Sequence, residues 1–132
     1  MKRSQGFVLI TVLVLIAMLM AGGTLLAMSL QYRMWVLRQE AQDIHLSALV
    51  DAGLAQALDR FSLSHFWSGA PEHLVGEGTV EVVVEMGDRP LTRIVRVTAT
   101  HGVAGRSVEA VVQLDDFVPP RVLEWHPITF QP

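Results

Sequence analysis

The chain contains no cysteine, which excludes disulfide bonds, zinc–thiolate sites and cysteine nucleophiles. Beyond residue 30 it also lacks lysine, and its eight arginines against thirteen acids give that part a net charge of −5. This balance argues against a nucleic-acid-binding protein, which would show a basic stripe. At 132 residues the chain is long enough for one domain and short of two.

Residues 7–30, a run of 24 positions, carry no charged side chain. As a helix with a rise of about 1.5 Å per residue, the run would be roughly 36 Å long, enough to cross a hydrocarbon core of about 30 Å. Its polar residues are Thr11, Thr24 and Ser29, whose hydroxyls can bond back to the preceding turn. The run predicts a membrane-spanning helix and excludes a freely soluble cytoplasmic enzyme.

The residues that flank this run predict its orientation. Lys2 and Arg3 precede it, and positive charge retained on the cytoplasmic side predicts an N-in, C-out orientation. Tyr32 and Trp35 follow it, where an aromatic belt would meet the outer interface.

A cleavable secretory signal is the competing interpretation of the apolar run. Residues 21–23 (AGG) satisfy the small-x-small rule for signal cleavage. Residues 25–30 remain mostly apolar beyond that point, as a spanning helix would, which favours the membrane span.

The junction in front of the run reads KRSQGFVLIT (residues 2–11), a short basic leader followed by glycine, phenylalanine and apolar residues. It resembles the signal of type IV prepilins, in which a prepilin peptidase cuts after the glycine and the new N-terminal phenylalanine is methylated. The resemblance implies a leader of residues 1–6, cleavage between Gly6 and Phe7, and an N-methylated terminus at Phe7. Glycine suits that position because a side chain before the scissile bond would crowd a protease at the membrane face.

Position 11 departs from the family pattern. Most pilins carry glutamate at the fifth residue after the cut, whereas this chain has Thr11. In the family that glutamate is thought to pair with the N-terminus of a neighbouring subunit, because an unpaired carboxylate in hydrocarbon is costly. Its absence is typical of the GspK-like group of minor pseudopilins, which are placed at the filament tip, but it also fits a different membrane protein altogether.

The helical pattern continues without a break after the apolar run. Residues 31–61 are therefore predicted to be a periplasmic, amphipathic continuation of the helix. Its expected buried stripe consists of apolar residues spaced by three, four or seven: Leu37, Ala41, Ile44, Ala48, Ala55 and Leu58. Residues 46–58 (LSALVDAGLAQAL) resemble an acid-Ala-Gly-Leu run, followed by Ala-Leu, that the same minor pilins carry. Members of that group usually have a large additional helical domain, for which this chain has no room, so the resemblance is to a short relative.

The remaining residues predict a small head. Residues 62–78 are rich in glycine and are predicted as a loop. Residues 79–114 hold three β-rich segments with short turns, which predict a three-stranded antiparallel meander covered on one face by the helix. Residues 115–132 contain four prolines and are predicted as an extended tail, whose Trp125 and Phe130 pack on the head or bind a partner. The expected fold class is α+β, a long N-terminal helix, transmembrane in its first half, packed on that small sheet.

No residue pattern points to catalysis or metal binding. The five histidines are scattered, without the His-x-x-x-His or Glu-x-x-His spacing of a metal site. Asp115 and Asp116 could help to hold Ca²⁺, although adjacent acids are more often solvated. Nucleophile elbows and phosphate loops are absent from the sequence. We therefore expect no enzyme, no catalytic residue, no metal and no cofactor.

These features together predict a structural subunit. It would be a minor pilin or pseudopilin, processed by prepilin peptidase and assembled at an initiating or capping position of a type IV pilus or type II secretion pseudopilus, or in DNA uptake. It would cross a bacterial inner membrane once, with a cytoplasmic N-terminus and a periplasmic head. The expected partners are membrane lipid, prepilin peptidase, the inner-membrane assembly platform and other pilins through the N-terminal helix, with no nucleic acid bound directly.

Two other interpretations remain open at this point. One is a bitopic inner-membrane protein that keeps its leader and carries a small periplasmic β binding module for an envelope complex. The other is an exported β domain that is cut near Gly23.

Overall fold

The computed structural model of the protein describes residues 2–131. Its elements are α1 (Lys2–Leu63), β1 (Gly69–Val75), β2 (Gly78–Met86), β3 (Thr92–His101), β4 (Ala104–Gln113) and β5 (Arg121–Ile128). The chain divides into two compact units, Met1–Ala41 and Gln42–Pro132, and α1 contributes residues to both. We call the second unit the head.

The α+β class is as expected, but the prediction of three strands is wrong. Within the described residues the sheet has five antiparallel strands in the order β1-β2-β3-β4-β5. The two additional strands lie in segments predicted to be a loop and an extended tail, and they contain Pro71 and Pro127. Both are edge strands, which have one unpaired side and therefore tolerate a residue that lacks an N–H. The prolines were misleading because an edge position cannot be recognised before the neighbouring strands are known.

The core of the head lies between α1 and one face of the sheet. The strands bury alternate residues, as the period of two in a β-strand requires. Val80 and Val82 are buried and Val84 packs against the core, so one face of β2 is formed by valines. The largest fully buried side chains of the core are Phe61, Leu114, Val80, Val82, Val95, Val97 and Val112.

The helix buries a different face from the one predicted. Ile44 is 70% exposed, Ala48 and Ala55 are also exposed, and only Leu58 of the predicted stripe packs against the core. The buried helix residues are instead Leu46, Leu49, Val50, Gly53, Ala57 and Phe61. Both faces have spacings of three and four, so periodicity does not choose between them. The buried face carries larger side chains, and its burial removes more apolar area from water.

Gly53 allows α1 to approach the sheet closely. A Cβ atom built at Gly53 would lie 2.6 Å from Cγ1 of Val97 and 2.8 Å from Cγ1 of Val80, well inside van der Waals contact. Glycine in a helix interior costs about 1 kcal/mol relative to alanine. The close packing of helix and sheet offsets that cost. A hydrogen bond adds a polar contact between the same layers, because Nη1 of Arg106 in β4 donates to Oγ of Ser47 at 2.6 Å.

The C-terminal aromatic residues have different environments. The ring of Phe130 lies so close to Gly105 that a Cβ atom there would collide with it. Trp125 in β5 is 63% exposed. Phe130 therefore packs on the head, one of the two roles expected for this segment, while Trp125 leaves most of its surface open.

Candidate functional site

The N-terminal unit presents an extensive apolar surface. Every side chain described from residue 4 to residue 35 is exposed. The large apolar side chains of residues 7–30 range from 46% exposed at Val12 to 74% at Phe7. Within the described residues, α1 is the one helix long and apolar enough to cross a membrane, by length and composition. Such a surface is stable in lipid or against other apolar helices, since contact with water is unfavourable.

The polar side chains in this run are satisfied within their own helix. Oγ1 of Thr11 donates to the carbonyl of Phe7, Oγ1 of Thr24 to the carbonyl of Ala21, and Oγ of Ser29 to the carbonyl of Leu26, each at 2.9 Å. The predicted bonds to the preceding turn are thereby confirmed. A hydroxyl with an internal partner is tolerated in hydrocarbon, where water is not available to bond it.

The predicted cleavage junction lies near the N-terminal end of α1. Gly6 and Phe7 are helical and exposed, and apart from the chain neighbours and the adjoining helix backbone no atom lies within 4 Å of a Cβ built at Gly6. Helix ends fray, and glycine has a low helix propensity, so the peptide between these residues is in the part of α1 that opens most easily. Thr11 lies one turn farther along the same helix. The structure thus places both residues of the junction on an exposed part of α1.

The rings of Tyr32 and Trp35 lie together just beyond the apolar run. Their centroids are 6.4 Å apart, and both side chains are more than half exposed. Tyrosine and tryptophan at the end of an apolar helix are typical of the membrane–water interface.

The outer face of the sheet carries a row of charges. Nη2 of Arg96 lies 3.0 Å from a carboxylate oxygen of Glu109, and Nη1 of Arg96 lies 3.9 Å from Glu85. Nε2 of His126 lies 3.5 Å from the other oxygen of Glu109. Solvent screens such partly exposed pairs, so each contributes at most about 1 kcal/mol. The charged residues of the strands therefore pair with one another on the exposed face of the sheet.

The two adjacent aspartates both have partners within the head. Oδ1 of Asp115 accepts a hydrogen bond from the backbone N–H of Phe117 at 3.1 Å. Oδ1 of Asp116 lies 3.4 Å from Nδ1 of His65, and its side chain is 78% exposed. The contacts of this pair are those of a solvated surface turn.

A cluster of three ligand-type side chains forms at one end of the sheet. One imidazole nitrogen from each of His45 and His101 and one carboxylate oxygen of Glu77 all lie within 4.8 Å of one another. The two rings meet edge to face, with centroids 4.7 Å apart and planes at 65°. Nε2 of His45 is shielded from solvent and has no hydrogen-bond partner. We call these three residues the His–Glu–His cluster.

The fold brings the cluster together from three elements. His45 lies on α1, Glu77 in the turn between β1 and β2, and His101 at the end of β3. Alternate turns of an antiparallel meander lie at the same end of the sheet, and Gly76 (φ 60°) and Gly102 (φ 63°) provide the left-handed conformation that tight hairpins need. The cluster could not be found from sequence, because residues 62–78 were predicted as a loop and Glu77 therefore had no position relative to His101.

The later residues of the long apolar N-terminal helix pack on an antiparallel sheet, an arrangement that fits a pilin-like architecture. Comparisons of the chain with protein-family models, with curated proteins and with solved structures find no match.

Proposed function

We propose that the protein is a non-enzymatic structural subunit of the minor pilin or pseudopilin class, anchored in a bacterial inner membrane by residues 7–30. The observation that carries the proposal is the exposure of the large apolar side chains of this segment, 46–74% throughout. Apolar surface in contact with water costs about 25 cal/mol per Å². Lipid removes that cost before assembly, and the helices of other subunits remove it afterwards.

The head supports a structural role. Its interior is filled by valine, leucine and phenylalanine side chains packed between α1 and the sheet. Two cavities of the head, one beside the turn between β2 and β3 and one lined by Ser47, Asp51 and Trp125 among others, have volumes of about 150 and 270 Å³. Pockets for small molecules are usually about 300–1,000 Å³. The head is thus better suited to packing against neighbouring proteins than to enclosing a substrate.

The proposed mechanism has three steps. Prepilin peptidase removes residues 1–6 on the cytoplasmic side, and Phe7 becomes the methylated N-terminus. The apolar helix then stays in the bilayer with the head in the periplasm. At the assembly platform the helix exchanges lipid contacts for contacts with other pilin helices, a transfer between two apolar environments that has a small net cost.

Thr11 supports an initiating or capping position. Its hydroxyl is bonded to the carbonyl of Phe7, so it needs no partner from a neighbouring subunit, whereas a carboxylate there would need one.

We expect Thr11→Glu to increase the share of the protein found along the body of the filament, because the new carboxylate can pair with a neighbour's charged N-terminus. The measurement is immunogold labelling of isolated filaments. Thr11→Gln is the control, because glutamine has the shape of glutamate without its charge. This variant should keep the wild-type distribution. The assignment to an end of the filament is contradicted if Thr11→Glu and wild type label the same positions.

Gly6→Leu should abolish removal of the leader in a host that has prepilin peptidase. A leucine before the scissile bond crowds the enzyme, while the open space around Gly6 leaves the helix itself undisturbed. The variant should migrate as the full-length chain, and the wild type should be shorter by residues 1–6.

Gly22→Leu is the matched control for this experiment. It adds the same side chain at another open position of the same helix, and it lies far from the junction. We expect it to be processed like the wild type. Equal, full-length chains for wild type and Gly6→Leu would favour a bitopic protein that keeps its leader.

A further inference from the structure

The His–Glu–His cluster has the composition of a transition-metal site. Two imidazole nitrogens and one carboxylate oxygen form a donor set that Zn²⁺ binds readily, whereas Ca²⁺ and Mg²⁺ prefer oxygen ligands throughout. His45, Glu77 and His101 are held on three different elements, so their approach depends on the tertiary fold. We propose that these three residues bind one Zn²⁺ ion.

The geometry of the cluster is close to that of a bound ion. In a tetrahedral Zn²⁺ site with ligands at about 2.0–2.1 Å, neighbouring ligand atoms lie about 3.4 Å apart. The three atoms here lie within 4.8 Å of one another, and Glu77 is exposed and able to rotate toward the histidines. A small adjustment of side chains is therefore enough to bring the three atoms to bonding distance.

The unpartnered nitrogen of His45 is an independent observation that points to a ligand. Its Nε2 is shielded from solvent and makes no hydrogen bond. Buried polar atoms in folded proteins almost always have a partner, because loss of contact with water is otherwise uncompensated. Coordination of a metal ion through Nε2 supplies that partner.

The backbone around the cluster holds its members in place. Thr79 lies opposite Thr100 in the sheet, which puts the residues preceding β2 beside the end of β3. Gly78 lies against the side chain of Leu49, one helical turn after His45, so that a Cβ atom at Gly78 would collide with it. Glu77 is thereby kept next to the helix and next to His101.

The expected role of the ion is structural. Three protein ligands leave one of four positions for water, and the three residues come from three separate elements, as expected of an ion that links parts of a fold. The ion would link α1 to the turn between β1 and β2 and to the end of β3. An ion that binds the folded state and not the unfolded one raises the unfolding temperature.

The test uses the full chain in detergent micelles, without a histidine tag and after treatment with a chelator. Zn²⁺ titration by calorimetry should show one ion bound per chain, and thermal unfolding should shift to higher temperature with ZnCl₂ and not with CaCl₂. Absence of Zn²⁺ binding, or an equal shift with both salts, would overturn the proposal.

Two variants separate the cluster from other zinc-binding groups on the surface. Glu77→Gln keeps the shape of the side chain and removes the anionic ligand, so the affinity for Zn²⁺ should fall at least about tenfold, as it does when groups near a metal are lost. His126→Gln, a change to an exposed histidine paired with Glu109, is the control and should bind as the wild type does. Wild-type affinity in Glu77→Gln would show that Zn²⁺ binds elsewhere. Processing of the leader should be unchanged in Glu77→Gln, so this proposal and the proposed function can fail separately.

Discussion

Replacing Phe61 with alanine should lower the free energy of unfolding of the head by about 3–5 kcal/mol. Phe61 is fully buried between α1 and the sheet, and its ring meets that of Trp67 edge to face with centroids 5.6 Å apart. The truncation removes the transfer free energy of the ring and leaves a cavity in a core whose stiff valines adjust poorly. Of this total, about 0.5–1.5 kcal/mol comes from the loss of the aromatic pair.

The neighbouring Phe66 provides the matched control, since it is 89% exposed. Phe66→Ala should change the stability by no more than about 0.5 kcal/mol. Thermal unfolding followed by near-UV circular dichroism measures both variants, and for a domain of this size we expect the midpoint of Phe61→Ala to fall by about 12 °C or more. Similar midpoints for the two variants would show that the packing of α1 on the sheet is not the core of the head.

Gly53→Leu should destabilise the head by about 3 kcal/mol. The reason is excess volume rather than lost contacts, because even the first atom of the new side chain would lie 2.6 Å from Val97 and 2.8 Å from Val80. The gain in helix propensity, about 1 kcal/mol at most, does not offset the separation of α1 from the sheet.

Ala52→Leu, one residue earlier on the exposed side of α1, is the control for this substitution. It introduces the same side chain without a clash and should leave the stability within about 0.5 kcal/mol of the wild type. Denaturant titration of the two variants compares them directly. Equal stability of Gly53→Leu and Ala52→Leu would contradict the close approach of α1 to the sheet at Gly53.

The centre of the sheet could be predicted from sequence because its signals are local. The segments predicted within residues 79–114 correspond to β2, β3 and β4, whose valines alternate with polar residues at the period of a strand. The edge strands could not be predicted in the same way. Their prolines are acceptable only because one side of each strand has no partner, which is a property of the whole sheet.

The buried face of α1 shows a second limit of sequence patterns. Ile44 and Leu46 both belong to apolar series with helical spacing, yet Ile44 is 70% exposed and Leu46 is 4% exposed. The difference arises from the sheet, which packs on the face that has Phe61 and the close approach at Gly53. A helix with apolar residues on two faces does not reveal which face is buried until its partner surface is known.

The two candidate sites differ in how far they could be predicted from the sequence, because one depends on local residues and the other on the tertiary fold. The apolar run and the internal bonds of Thr11, Thr24 and Ser29 depend on residues within one helix, so the sequence was sufficient. The His–Glu–His cluster depends on how two turns and a helix meet. Metal ligands that are distant in sequence have no spacing to detect.

The assignment to the pilin class is tested by the N-terminal residue of the wild-type chain, isolated from membranes of a host with prepilin peptidase. Mass spectrometry of the intact protein and of its N-terminal peptide gives both the start of the chain and any modification. We predict a start at Phe7 with one added methyl group on its amino nitrogen. A chain that still begins at Met1 would contradict the assignment to the pilin class, and a start at Thr24 would identify an exported β domain instead.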